Sequence, residues 1–238
     1  MIDGTRVWCI IPVKRFAVAK SRLTPVLDAQ ERATLARLML EDVLDVLMQS
    51  KAVLAGVAVV TSDRIAATLA RSRGAAAVLD RTDNGINAAV RVAIAQMAEG
   101  DGGVIVVPSD IPQVTPGAIA VAAQAIASSG TMAVAAADDG GTNLLACRPA
   151  GAIPLHYGPN SFERHSRAAT EAGIAVRTLH VPQLLPDIDR PEDLRRFVAL
   201  ESQTRTHEFL SRLGIRERLE RCDKRRAAED FIAAGASS

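Results

Sequence analysis

Hydrophobic and polar positions along this 238-residue chain follow two alternating patterns. Short aliphatic runs at residues 7–13, 57–61, 76–79 and 104–107 read as strands. The unbroken Val104-Ile105-Val106-Val107 suits a strand buried on both faces of a parallel sheet. Between these runs, apolar residues recur at spacings of three and four. Residues 28–49 carry the stripe Leu35, Leu38, Met39, Val43, Val46 and Leu47 behind a capping box of Asp28 and Glu31, which predicts a long helix. Further helices are predicted over 64–73 (ending at Gly74), 85–97, 118–127, 161–172 and 191–200. Residues 132–137 and 143–148 predict two strands paired across Asp138-Asp139-Gly140-Gly141, and 175–180 a further strand. Repeated strand–helix–strand units with short links predict an α/β fold with three layers: a Rossmann-like, mostly parallel sheet between helices.

The pattern changes near residue 200. Residues 1–200 read as the α/β domain and 201–238 as a basic, helical C-terminal extension. Arg205, Arg212, Arg216, Arg218, Arg221, Lys224, Arg225 and Arg226 punctuate this extension, as they would a solvated, frayed helix. Phe209, Leu210, Leu213 and Leu219 leave room for a docking or dimer-forming helix instead, and a homodimer is expected. Only residues 233–238 look like low complexity.

Composition narrows the function. Hydrophobic residues make up 48% of the chain, enough for one large core. The net charge of +1 gives no strong field toward nucleic acid or membrane, and 3% aromatics leave little base-stacking surface. No apolar stretch reaches the roughly 18 residues of a membrane span. Residues 1–4 lack a basic region followed by an apolar one, so no secretory signal is expected. Cys9, Cys147 and Cys222 are scattered and odd in number, which excludes a disulfide or zinc framework, and a cytoplasmic location is expected.

The candidate chemistry sits at strand ends. The buried run 104–107 stops at Pro108-Ser109-Asp110, so an acid stands where open α/β sheets place their ligands. Asp187-Ile188-Asp189 comes much later; in an extended stretch, both of its acids share one side. Widely separated carboxylates at element ends suit a magnesium ion on a nucleotide phosphate. Each acid has a plainer alternative. Asp110 with Pro112 also fits a tight turn, and Asp189 also fits a helix N-cap with Glu192 closing a capping box. After the first strand come Lys14, Arg15, Lys20 and Arg22, either a triphosphate clamp or an exposed basic loop. Neither a P-loop nor a dinucleotide fingerprint is present. Asn84, Gly85 and Asn87 at a helix start offer amides to a base or ribose, or form an Asn-Gly turn. Gly140-Gly141-Thr142-Asn143 and Gly158-Pro159-Asn160-Ser161 read as ligand-facing loops, or as a hairpin turn and a helix cap. Arg164 and His165 are possible anion contacts, although His165, like His156 and His180, reads more readily as a surface residue.

Six blocks in order carry a family resemblance. They are Ile11-Pro12-Val13-Lys14 with Ala19-Lys20-Ser21-Arg22-Leu23 and Pro25-Val26-Leu27; Gly85-Ile86-Asn87-Ala88-Ala89; Pro108-Ser109-Asp110-Ile111-Pro112; Gly140-Gly141-Thr142-Asn143; Gly158-Pro159-Asn160-Ser161-Phe162; and Asp187-Ile188-Asp189-Arg190-Pro191-Glu192-Asp193-Leu194. Over about residues 6–200 the chain resembles the phospholactate guanylyltransferase family. The resemblance implies the nucleotide-diphospho-sugar transferase type of α/β fold for residues 1–200. It implies transfer of GMP from GTP to 2-phospho-L-lactate, phosphoenolpyruvate or 3-phospho-D-glycerate, with release of diphosphate, in coenzyme F-420 biosynthesis. It further implies Lys14, Lys20 and Arg22 as catalytic cations, and Pro12, Val13, Asn84, Gly85, Asn87 and Pro108 as nucleotide-binding residues. Thr142, Gly158 and Ser161 would bind the acceptor, and Asp110 with Asp187 or Asp189 would ligate Mg2+. The chain departs from the wider superfamily where Phe16-Ala17-Val18-Ala19 replaces a glycine-rich loop and Val26 replaces a lysine. A molybdenum-cofactor nucleotidyltransferase would need that glycine-rich loop. A catalytically silent nucleotide-binding protein would not need the intact acids and cations.

Overall fold

The computed structural model describes residues 7–80, 84–182 and 187–235, with side chains through residue 225. Residues 1–4, residues 81–83 beside the predicted base-binding loop, the side chain of Arg226 and the end of the chain lie outside the described residues.

Seven strands form one sheet in the order β3-β2-β1-β4-β6-β5-β7. They are β1 (Val7–Val13), β2 (Gly56–Thr61), β3 (Ala76–Leu79), β4 (Gly103–Val106), β5 (Thr131–Ala136), β6 (Thr142–Arg148) and β7 (Ala175–Thr178). β1 pairs in parallel with β2 and β4, β2 with β3, and β5 with β7; β6 alone runs the other way, against β4 and β5. The predicted turn over residues 138–141 is therefore a true hairpin, inserted into an otherwise parallel sheet. Every residue of β4 is buried, as its unbroken apolar run required.

Helices cover both faces. On one face α1 (Ala29–Gln49), α2 (Arg64–Ser72) and α4 (Pro116–Ala125) close over a core containing Ile11, Leu44, Val59, Ile105 and Ile119. On the other, α3 (Ile86–Met97) and α5 (Ser161–Glu171) contribute to a core containing Ile10, Val60, Val90, Val106 and Leu145. The predicted capping box starts α1: Glu31 N–H donates to Asp28 Oδ1 at 2.8 Å, and Asp28 N–H to Glu31 Oε2 at 2.9 Å.

α1 is buried on two sides, and this positions the end of the chain. Leu40, Val43, Leu44 and Leu47 face the sheet. Leu35 and Met39 face a third cluster with Leu194 and Phe197 of α6 (Pro191–Ala199), Leu210 of α7 (Arg205–Arg212), and Ile215 and Leu219 of α8 (Ile215–Gly235). Phe209 and Leu213 pack against the same cluster. The apolar residues of the basic extension are thus used within the chain, where the charge pattern alone suggested a solvated helix. Asp42, buried in α1, grips the start of α7: its carboxylate accepts Arg205 N–H at 3.0 Å, Thr206 N–H at 2.9 Å and the Thr206 hydroxyl at 2.6 Å. A carboxylate on a helix N-terminus satisfies orphan amides and complements the helix dipole. Among the described residues, no helix is long and apolar enough to cross a membrane.

Candidate functional site

The carboxyl ends of β1, β2, β3 and β4 border a cavity of about 470 Å³. Pro12, Val13, Lys14, Lys20, Gly85, Pro108, Asp110 and Asp189 line it. Arg22, Asn84, Asn87, Asp187, Thr142, Gly158 and Ser161 stand outside that lining.

The first loop is shaped by an acid the sequence reading passed over. Asp63, just beyond β2, accepts Phe16 N–H on Oδ2 at 2.8 Å. Its Oδ1 accepts the N–H groups of Ile65 at 2.8 Å and Ala66 at 3.3 Å, capping α2. The loop then turns inward at Lys20, whose φ of 55° is left-handed and costs a non-glycine residue about 1 kcal/mol. This conformation places Lys20 Nζ between two acids, 2.6 Å from Asp110 Oδ2 and 2.7 Å from Asp189 Oδ1. Burial disfavours the ammonium, but Asp110 and Asp189 outweigh it and hold the Lys20 pKa above its ordinary value. Arg22 stays at the surface, with Nη1 3.6 Å from Asp189 Oδ2.

The second acidic block explains its own spacing. Ile188 is fully buried in the third cluster, and its N–H donates to the Asp110 carbonyl at 3.2 Å. Alternation along extended chain then gives Asp187 and Asp189 a common side. One carboxylate oxygen from each of Asp110, Asp187 and Asp189 lies within 4.8 Å of the others. Burial, then the charges of Asp110 and Asp189, push the Asp187 pKa up to about 6. Burial also works against Asp189, but Lys20, Arg22 and Lys14 hold its pKa below the usual value. Asp110 Oδ1 is buried and, among the described residues, accepts no hydrogen bond. Crowded carboxylates with an unmatched buried oxygen form the donor set of a hard divalent cation, and the residues fit one.

The N-cap alternative for Asp189 gives way here. Arg190 occupies the N-cap position of α6, and Asp193 does the capping: its Oδ2 accepts the N–H groups of Asp189 at 3.1 Å and Arg190 at 2.7 Å. The Asp189 carboxylate is left to the site.

The glycine loops lie beside the triad, joined by Phe162 N–H donating to the Gly140 carbonyl at 3.3 Å. Asp138 binds Arg196 of α6 at 2.6 Å, which ties the β5–β6 hairpin to the α6 end of the Asp187–Asp189 block. Thr142 Oγ1 is 2.9 Å from Ser161 Oγ and 3.2 Å from His165 Nδ1, and all three residues are buried. His165 Nε2 accepts His156 N–H at 2.8 Å, so the neutral ring carries its proton on Nδ1. Burial, with His156 and Arg164 nearby, lowers the His165 pKa to about 4. The surface expectation for His165 was wrong: its exposure is 0%. A polar helix position beside Arg164 gave no sign that its ring would join two loops.

Asn87 also has an internal role. Its Nδ2 donates to the Tyr157 carbonyl at 3.1 Å, and its Oδ1 accepts Tyr157 N–H at 2.8 Å. It ties α3 to the second glycine loop. Asn84 is exposed. Gly85 brings bare backbone to the cavity with φ 81°, where a side chain would be strained. The same cavity is also lined by Thr61, Ser62 and Asp80 from the ends of β2 and β3, with Asp80 only 6% exposed. An acid just past a strand was the signal that picked out Asp110, and it applies equally to Asp63 and Asp80.

The family of CofC-like guanylyl transferases matches residues 7–229. The chain is 39% identical over 196 residues to the phosphoenolpyruvate guanylyltransferase of Rubrobacter xylanophilus, covering 81% of this chain and 94% of that one. It is 33% identical over 212 residues to the 3-phospho-D-glycerate guanylyltransferase of Phenylobacterium zucineum, covering 88% and 97%. It is also 33% identical over 204 residues to the 2-phospho-L-lactate guanylyltransferase of Methanothermobacter thermautotrophicus, covering 86% and 89%. In fold it is similar to a Desulfovibrio desulfuricans protein described as a nucleotide-diphospho-sugar transferase, with a TM-score of 0.70 at 19% identity over 90% of this chain and 98% of that one. With its mostly parallel sheet and the acids gathered at the carboxyl edge, the chain belongs to the CofC-like guanylyl transferase family.

Proposed function

We propose that the chain transfers GMP from GTP to the phosphate of a three-carbon phosphorylated acid and releases diphosphate, as a step of coenzyme F-420 biosynthesis. The observation that carries this reading is Lys20 held between Asp110 and Asp189 at the wall of a cavity built by strand ends. Lys14, Lys20 and Arg22 neutralise the triphosphate as negative charge builds on the leaving diphosphate. An acceptor phosphate oxygen attacks the α-phosphorus in line, and the bond from that phosphorus to the bridging oxygen breaks. The acceptor phosphate is already anionic at neutral pH, so no side chain has to remove a proton. Asp110, Asp187 and Asp189 would hold Mg2+, which when bound supplies positive charge to the phosphate oxygens.

At the base end, the Asp80 carboxylate suits the N1–H and 2-amino donors of guanine, with Gly85 and Pro12 presenting backbone beside it. At the other end, Gly158, Thr142 and Ser161 receive the acceptor's carboxylate. Ser161 Oγ keeps hydrogen-bonding capacity beyond its contact with Thr142. Phosphoenolpyruvate is the first choice of acceptor, because the 39%-identical relative carries its name. The test is diphosphate release from GTP with each of the three phospho-acids and magnesium. Turnover is expected with at least one acid and with GTP over ATP or CTP. No release with any acid, or a preference for another base, overturns the reading.

A further inference from the structure

Three arginines from distant parts of the chain meet on the far side of Asp189. Arg22 of the first loop, Arg190 at the N-cap of α6 and Arg225 of α8 line a cavity of about 810 Å³ together with Thr24, Glu192 and Asp223. Asp223 is already paired with Arg195 at 2.6 Å, which also fixes the turn of α8 that carries Arg225. Among the described residues, neither Arg190 nor Arg225 takes part in an ion pair. Three guanidinium groups therefore face a single unpaired carboxylate, Glu192, and the cavity favours an anion. Planar guanidinium forks match phosphate oxygens in pairs.

The cavity adjoins the triad. Asp189 lines the 470 Å³ cavity, and Arg22, 3.6 Å from it, lines the larger one. The two cavities thus meet at the Arg22–Asp189 pair. We infer that the larger cavity receives the diphosphate leaving group, and that the C-terminal extension completes the site through Arg225. The inference rests on guanylyl transfer at the neighbouring triad. When the α-phosphorus is attacked, the electron pair of the broken bond stays on the bridging oxygen. The diphosphate leaves with several negative charges, and Arg22 is the first cation on its way out. The extension thus does more than cover α1: it brings a cation that residues 1–200 lack at this place.

Calorimetric titration of the full-length protein with sodium diphosphate, with and without magnesium chloride, tests this without turnover. Arg225→Gln and Arg190→Gln should each weaken diphosphate binding about tenfold, and Glu192→Gln should tighten it by a smaller factor. Both arginine side chains are exposed, so the variants should fold; circular dichroism checks that they do. Diphosphate affinity within about twofold of wild type in both arginine variants overturns the inference. So does a loss that appears only in the KM for the phospho-acid, which would assign the cavity to the acceptor. A protein that turns over GTP but binds diphosphate equally well in every variant loses this inference alone. One that binds diphosphate through these arginines, yet turns over no phospho-acid, keeps the site and loses the acceptor reading.

Discussion

Two loop clusters meet at the carboxyl edge of the sheet, and different forces hold them. The cluster of Lys20, Asp110, Asp187 and Asp189 is organised by charge: an ammonium lies between two carboxylates, a third acid has its pKa pushed up to about 6, and one buried oxygen goes unmatched. The cluster of Thr142, Ser161, His165 and Asn87 is organised by neutral hydrogen bonds that are largely matched within the chain. The first arrangement carries electrostatic tension that a bound divalent cation would relieve. The second is a finished scaffold whose shape precedes the ligand. The charged cluster should therefore answer sharply to changes of charge, and the neutral cluster to changes of packing and protonation.

The largest effect is expected at Asp110. Asp110→Asn keeps the shape and removes the charge, so diphosphate release should fall by about 10³-fold while the thermal midpoint stays near wild type. A near-normal rate would break the contrast between the clusters. Next comes Lys20→Met, which leaves Asp110 and Asp189 facing each other without their cation. Turnover should drop about 100-fold in the same assay, and an unchanged rate would reduce the Lys20 contacts to a structural bridge.

The smallest effect belongs to the neutral cluster and is read as stability. The buried His165 has a pKa of about 4, against 6.5 for an unperturbed histidine. The unfolded chain binds its proton first, so the folded state loses stability as pH falls from about 6.5 to about 4 and levels off below that. The loss should amount to about 3 kcal/mol. Urea melts of wild type and His165→Gln at several pH values check it. The two curves should diverge across that window, with the variant flatter, and parallel curves would remove His165 from the cluster's energetics.

Much of this was legible in the chain. Aliphatic runs marked the strands because a strand covered on both faces must be apolar throughout, and Asp110 stood out because such a run ended on it. The period-two argument placed Asp187 and Asp189 on one side, and the inward Ile188 is its physical cause. What stayed hidden depended on partners distant in sequence. Asp42 looks like an ordinary polar helix residue until α7 sets its N-terminus on it. Asp193 takes the capping role assigned to Asp189 because it reaches back to two amides, a choice no pattern of residue types decides. Asn87 and His165 have the composition of ligand-binding or surface groups, and only the path of residues 156–157 shows that they hold loops together.

The reversed strand β6 has an evolutionary consequence. Because it runs against its neighbours, it enters the ligand edge at Thr142, where β1, β2, β3 and β4 leave it. The Thr142 side of the site is thereby hung on a hairpin tip, and such tips accept insertions and exchanges at little cost to the sheet behind them. If Thr142 binds the acceptor as proposed, a lineage could retune which small acid it accepts by rewriting residues 138–141, leaving the charged cluster untouched.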